Sequence, residues 1–309
     1  MKAAYFDQFG GPDVLKYGDL PDPVPAAGEI LVDVAAASVN AADWKFRSGQ
    51  YARHSDAKFP LIPGRDFSGT VGALGSGVGD LKIGDEVFGV LEAGKEGTYA
   101  EKLAVKAAIV ADKPQGLSHV AAATVALTGL TAVNSIADTL KLKKGETILI
   151  QGGAGGVAGF AIQFAKYLGA HVITTTSAAN RDYVRDLGAD EVIDYNSQDF
   201  TKVVSGCDAV FDTVGGEVAQ KSFAVLKPGG RAAFIASGME APKPNRSDIA
   251  ALRPPVGRSR QAMERIGELV QSGAVKPPIV KLYRLSEAAD AHRLSEGRHF
   301  RGKLVFKVR

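Results

Sequence analysis

Five glycines fall within "ILIQGGAGGVAGFAIQFAK" (148–166), directly after one apolar run and at the start of another with helical period. Gly153, Gly155 and Ala158 fit the pattern G-x-G-x-x-G/A. In that pattern the first glycine permits a tight turn, the second lets backbone approach a pyrophosphate, and the small third residue lets helix and strand pack closely. A strand before and a helix after are what the pattern needs to carry meaning. The helix start then offers the N–H groups of Gly156, Val157 and Ala158, with the positive end of the helix dipole, to a phosphate. Such a turn belongs to a parallel, helix-covered sheet that binds a dinucleotide.

The surrounding sequence has the alternation such a sheet demands. Apolar runs at 146–152, 170–176, 191–195, 208–215 and 230–238 are separated by helical stretches such as 155–168 and 180–187. Parallel strands need crossovers, so this half reads as a doubly wound α/β domain. Before Pro114 the texture differs. Short apolar runs broken by glycine and proline, among them "EILVDVAAASVN" and "GDEVFGVL", read as an all-β region. The division expected is 1–122 for the β domain, 123–271 for the dinucleotide domain and 272–309 for a return to the first. The uncharged stretch Val120 to Ala137 is about long enough to cross a membrane, but its threonines, glycine, asparagine and serine suit a buried helix, and no membrane partner is expected.

A net charge of +3 over 309 residues, with no basic run, gives no footprint for nucleic acid as main partner. The single cysteine, Cys207, excludes an internal disulfide framework and reads as an inert packing thiol. The first residues lack the apolar core of a signal peptide, so a cytoplasmic location is expected.

About 20 residues beyond the glycines an NAD-binding domain usually places a carboxylate for the ribose 2′-hydroxyl. Here the strand end reads "VITTTSAANR" (172–181) and holds none. Thr176 and Ser177 can donate hydroxyls to a phosphate, Asn180 its amide and Arg181 a permanent charge. This selects NADPH; the alternative is that Asn180 and Arg181 simply begin an exposed helix.

The markers "VNAADWKFRSG" (39–49), "PLIPGRDFSGTV" (60–71), "GDEVFG" (84–89), "TGLTA" (128–132), "LGADEVIDY" (187–195), "FDTVGG" (211–216), "LKPGGR" (226–231) and "RGKLVFKV" (301–308), with the glycine cluster, span nearly the whole chain. In these it resembles the zinc-independent branch of the medium-chain dehydrogenase/reductase superfamily, the quinone oxidoreductase or zeta-crystallin-like group, and within it the alkenal/enone reductases. The resemblance implies a GroES-like β domain carrying the substrate pocket and a Rossmann domain carrying a nicotinamide nucleotide. Zinc-dependent relatives have Gly-His-Glu where Gly64-Arg65-Asp66 stands and a cysteine near Asn40 to Asp43, so no metal site is expected. Without that Lewis acid, quinones and α,β-unsaturated carbonyls suit the scaffold better than simple alcohols.

The resemblance also places Asn40 by the nicotinamide and substrate, with Lys45 and Tyr51 in the same region as candidate oxyanion donors or as ordinary solvated and packing side chains. It puts Thr128 near the nicotinamide carboxamide, where a helix-interior hydroxyl is the alternative. Tyr195 would stand beside the adenine ribose phosphate. Val214 and Gly215 would lie at the carboxyl edge of the sheet by the nicotinamide ribose. Arg246, Arg253, Arg258 and Arg260 leave open an enoyl-thioester reductase with a basic mouth, and a cofactor-binding structural or regulatory protein without turnover is a further alternative. A homodimer through the edge of the Rossmann sheet is compatible with the family pattern.

Overall fold

The computed structural model describes residues 1–50, 58–238, 240–255 and 257–309. They form two compact units. The first comprises Met1–Leu127, Arg258–Gln271 and Pro277–Arg309, the second Thr128–Gly257 and Ser272–Lys276.

The first unit opens with a two-stranded antiparallel pair, β1 (Lys2–Tyr5) and β2 (Lys16–Asp19). Next come β3 (Glu29–Ser38), helix α1 (Ala41–Arg47), β4 (Asp66–Leu74), β5 (Glu86–Val90), β6 (Lys102–Lys106) and β7 (Val110–Asp112). In β3 the residues alternate buried and half-buried from Glu29 to Val34, the period-2 pattern of a strand with one face on a core. That core gathers Ile30, Val32, Phe67, Val87 and Val105.

Helix α2 (His119–Val133) runs on into a π-helical turn, Asn134–Thr139. By length and hydropathy this segment could cross a membrane, but 72% of its most apolar window is buried inside the protein, as a core helix requires.

The second unit continues with β8 (Thr147–Gln151), α3 (Gly156–Tyr167), β9 (His171–Thr176), α4 (Arg181–Asp186), β10 (Glu191–Asp194), α5 (Phe200–Val203), β11 (Cys207–Asp212), α6 (Gly216–Lys221), β12 (Leu226–Phe234) and β13 (Ala250–Leu252). The six strands lie in the order β10-β9-β8-β11-β12-β13, every pair parallel. That is the doubly wound dinucleotide-binding order, with β8 at the point where the winding reverses and a ligand crevice opens.

The chain then returns to the first unit through α7 (Arg260–Gln271), β14 (Val280–Tyr283), α8 (Ala288–Gly297) and β15 (Lys303–Lys307). The large sheet there has the order β14-β15-β3-β4-β5-β7, with β6 also on β3. The sequence reading gave 272–309 to this domain, whereas Ser272–Lys276 lie in the second unit and Pro277–Arg309 in the first. Helix α7 differs, because the sequence reading placed it with the dinucleotide half. Its Arg260 donates to the carbonyls of Val110 and Ala107 at 3.0 and 2.8 Å and pairs with Asp80. Those bonds, with buried Met263 and Ile266, tie it to the β domain.

Candidate functional site

In the second unit the glycine turn is braced from the neighbouring strand. Gly152 N–H donates to Thr175 Oγ1 (3.1 Å) and Gly153 N–H to Thr175 O (2.9 Å), while Thr175 Oγ1 donates to Gln151 Oε1 (2.6 Å). The left-handed residue of the turn is Gly152, at φ +78°, one position before the glycine the motif assigns to it. Gly153 serves packing instead. A Cβ there would lie closer than 3.0 Å to Thr174 Oγ1, a buried hydroxyl that donates to Ile150 O at 2.7 Å. Gly155, the N-cap of α3, has room for a Cβ, whose nearest atom would be Gly152 O at 3.4 Å, an ordinary van der Waals contact. Its own N–H donates to Gly152 O at 3.0 Å, so the N–H groups left at the start of this 12-residue helix are those of half-buried Gly156 and Val157. This cradle fits a pyrophosphate. Ala158 is buried as expected, and Gly159 next to it keeps α3 against Leu187, whose Cδ1 would lie 3.2 Å from a Cβ.

Ser177, Asn180, Arg181 and Tyr195 come together at the ends of β9 and β10. Asn180 Nδ2 donates to Ser177 Oγ (3.2 Å), and Tyr195 N–H donates to Thr176 O (3.2 Å) with its ring exposed. The Thr176 side chain is buried and belongs to the strand. The sequence reading missed Asp194, the last residue of β10. Its carboxylate accepts from Asn196 N–H (3.1 Å) and Ser197 Oγ (3.0 Å). The Asn196 and Ala178 N–H groups, the Ser197 hydroxyl and the charge of Arg181 hold it below the usual carboxylate range. The carboxylate absent from β9 therefore stands one strand over, saturated by the loop it organises.

Val214 and Gly215 do lie at the carboxyl edge of β11, but their N–H groups are used by Asp212 Oδ1 and Oδ2 at 3.2 and 2.9 Å. Gly215 is held at φ +84°, where a Cβ would meet Ala236 O at 2.9 Å. Thr128 is buried in α2. Cys207 is buried, and burial first, then Asp208 and Glu191, push its thiol up to about 12.

In the first unit three segments converge on a buried polar cluster: the start of α1, the turn 63–66 and the run 96–99. Asn40 is the N-cap of α1, and its N–H donates to Asp43 Oδ2 (2.8 Å). Its Nδ2 donates to Asp66 Oδ1 (3.0 Å) and Ser38 O (3.3 Å), and its Oδ1 accepts from Lys303 Nζ (2.7 Å). The Asn40 amide is thus spent inside the unit, which leaves it a holding rather than a donating part. Lys45 is half-buried with its ammonium 5.6 Å from the Trp44 ring centroid. Tyr51 falls outside the described residues.

Arg65 Nε donates to Glu96 Oε1 (2.5 Å), and Glu96 Oε2 accepts from Gly64 N–H (3.1 Å). Burial first, then the Asp43 charge, raise the Glu96 carboxyl to about 8 against the pull of Arg65. Asp43 is fully buried; burial raises it to about 6, with Arg65 opposing and Asp66 adding. Asp66 is raised by burial against Lys303, and buried Lys303 is lowered by burial against Asp66 and Asp43. Asp43, the Arg65-Asp66 pair, Glu96 and Lys303 come from four separate segments of the sequence, out of reach of local motifs. Only the Asn40-x-x-Asp43 spacing, a helix-start signal, was visible.

The arginines proposed as a basic mouth have structural partners. Arg246 pairs with Asp248, Arg253 donates to Phe234 O at 2.6 Å, and Arg260 is committed to Val110, Ala107 and Asp80.

A family model described as an alcohol dehydrogenase GroES-like domain matches residues 26–115, and one described as a zinc-binding dehydrogenase matches residues 187–306. The chain is 33% identical over 316 residues to a chloroplastic NADPH-dependent alkenal/one oxidoreductase of Arabidopsis thaliana, covering 99% of this chain and 79% of the relative. The solved quinone oxidoreductase of Coxiella burnetii superposes with a TM-score of 0.94 at 37% identity, covering 100% of this chain and 99% of that one. A mycobacterial protein solved with NADPH superposes at 0.90 and 31% identity over the whole of both chains. Among the described residues no group of three or more histidine, cysteine, aspartate or glutamate side chains is placed to hold a metal. Asn40, Arg65 and Asp66, where the resemblance would put ligands, bond instead within the buried cluster.

Proposed function

The chain belongs to the medium-chain dehydrogenase/reductase superfamily, among its quinone and alkenal/one oxidoreductases, and on that premise we propose that it is a metal-free, NADPH-dependent reductase of quinones or α,β-unsaturated carbonyls. The observation that carries the reading is the group Ser177, Asn180, Arg181 and Tyr195 at the strand ends beside the open Gly155 cradle. The cofactor, when bound, supplies hydride for an electron-poor carbon. The turn from Gly152 to Val157 would hold its pyrophosphate and Ser177, Asn180 and Arg181 its 2′-phosphate, with Tyr195 at the adenosine side. Asp194 keeps that loop in shape, and because its oxygens already accept three donors its charge is partly met before a phosphate arrives. Lys45 and Tyr51 are the candidate donors to the oxygen that gains charge.

The test compares NADPH with NADH in the parent, Arg181→Ala and Ser177→Ala. A charge-assisted hydrogen bond contributes roughly 1.5–3 kcal/mol, so Arg181→Ala weakens NADPH about ten- to a hundredfold and leaves NADH nearly unchanged. Equal losses for both cofactors, or a parent that prefers NADH, reject the phosphate site. Steady NADPH consumption with an enone or a quinone separates a reductase from a cofactor-binding protein without turnover.

A further inference from the structure

A buried hydrogen-bond chain in the first unit joins residues far apart in sequence and ends on Asp43. Arg47 closes α1 and is 1% exposed; its Nη1 lies 3.2 Å from His292 Nδ1, and its Nη2 pairs with Glu296 of the same helix α8. A guanidinium only donates, so His292 Nδ1 accepts and the ring proton sits on Nε2. That Nε2 lies 3.3 Å from the Tyr99 hydroxyl oxygen, and the Tyr99 hydroxyl donates to Asp43 Oδ2 at 2.7 Å. Every donor in the chain points one way. Burial and the Arg47 charge lower His292 to about 3, so the ring stays neutral and the direction cannot reverse at working pH. At the far end Asp43 Oδ2 takes two donors, Tyr99 and the Asn40 N–H, while Oδ1 is buried without a partner.

We propose that Arg47, His292 and Tyr99 are positioning residues of the reductase site: their one-way chain holds the Asp43 carboxylate, and through it the N-terminal turn of α1 that carries Asn40 and Lys45. This rests on the reductase reading above. The carboxylate is the form that holds. Its protonation removes the charge that both donors recognise, loosens the Asn40 N-cap and lets α1 shift, so turnover falls as pH drops through the Asp43 titration. The other charges facing Asp43 are Arg65, which favours the carboxylate, Asp66 and Glu96, which disfavour it, and the Lys303 ammonium, which favours it.

The experiment is the pH profile of kcat with NADPH and the best enone or quinone acceptor, in the parent, Asp43→Asn, Tyr99→Phe and His292→Gln. The parent is expected to lose activity on the acid side near the Asp43 value. Tyr99→Phe removes a donor to the charged form, so its acid limb moves up by about one pH unit, with kcat at pH 7 about tenfold lower and the NADPH KM within about twofold. His292→Gln moves the limb in the same direction by less, and Asp43→Asn has none. A limb that stays in place in Tyr99→Phe, or a kcat loss matched by an equal change in NADPH KM, overturns the proposal. An independent readout is urea unfolding between pH 4 and 6. A carboxyl raised in the folded state contributes stability that is lost as pH rises across that window, set against the opposite contribution of His292, and Asp43→Asn lacks the Asp43 component; equal slopes in both also overturn it. If no acceptor is turned over, the reductase reading fails while the unfolding result still stands or falls by itself.

Discussion

Gly153→Ala separates two reasons for glycine in one turn. Gly153 is not among the left-handed glycines, so the backbone tolerates alanine there. The obstacle is steric: the new Cβ would press within 3.0 Å of Thr174 Oγ1 and stand 3.1 Å from its Cγ2 and 3.2 Å from its Cβ. Thr174 is fully buried between β8 and β10 and cannot swing to solvent. Either the turn lifts from β9, at about 1–3 kcal/mol for overpacking, or the Thr174 rotamer changes and Ile150 O loses its donor, at about 1–3 kcal/mol for a buried unmet group. We expect a loss of about 1–3 kcal/mol, read as a lower urea midpoint at unchanged slope.

Thr174→Ala should relieve it. The double variant is expected to be about as stable as Thr174→Ala alone, a coupling of about 1–3 kcal/mol between touching sites. Gly155→Ala is the control. Its Cβ would meet only Gly152 O, at 3.4 Å, and its φ of −75° with ψ of 157° suits alanine, so stability falls by about 1 kcal/mol or less, the N-cap difference, while NADPH binding weakens several-fold. A Gly153→Ala protein within about 0.5 kcal/mol of the parent, or strictly additive losses in the double variant, would refute the reasoning.

Glu96→Gln should flatten the pH dependence of stability between about pH 6.5 and 8. A carboxyl raised from 4.5 to about 8 binds its proton more tightly in the folded state, so its contribution is complete below 4.5 and is lost as pH rises through 8. His292, lowered to about 3, acts only below about 6.5, where stability falls with acid. At about 1.4 kcal/mol per pH unit the parent loses on the order of 1–2 kcal/mol across the window, measured by urea midpoints; a parent with no slope there contradicts the assignment. Cys207 should resist an aromatic disulfide reagent in the native protein and react at once in denaturant, since the thiol is buried and raised to about 12; rapid native labelling would show the site opens. Turnover should survive exhaustive chelation, because at the ligand positions Asn40 bonds Asp66 and Arg65 bonds Glu96; stoichiometric zinc whose removal abolishes activity would contradict this.

The parallel sheet, the turn at its centre and the loop at the ends of β9 and β10 were legible because each is written in neighbours: a strand, a turn and a helix within about 30 residues. Even there the register of roles slipped by one, since which of two adjacent glycines takes the left-handed conformation is decided by Thr175, a residue on another strand. The polar cluster was not legible as a site, because Arg47 and His292 are 245 residues apart and Lys303 reaches Asn40 across 263. Yet the need for it was written in the chain. Asp66 opens the apolar strand "DFSGTV", Lys303 opens "KLVF" and Arg47 ends the apolar turn "ADWKFR". A charge on the buried side of such a run is too costly to leave unmet, so each demands a partner of opposite sign or a saturating set of dipoles. Sequence reveals the unpaired demand; the closing of β15 onto β3 supplies the Lys303 partner, and the packing of α8 against α1 brings His292 and Glu296 to Arg47. A charged residue at the margin of an apolar strand is therefore as informative as a glycine motif, provided the question asked of it is what it must be touching.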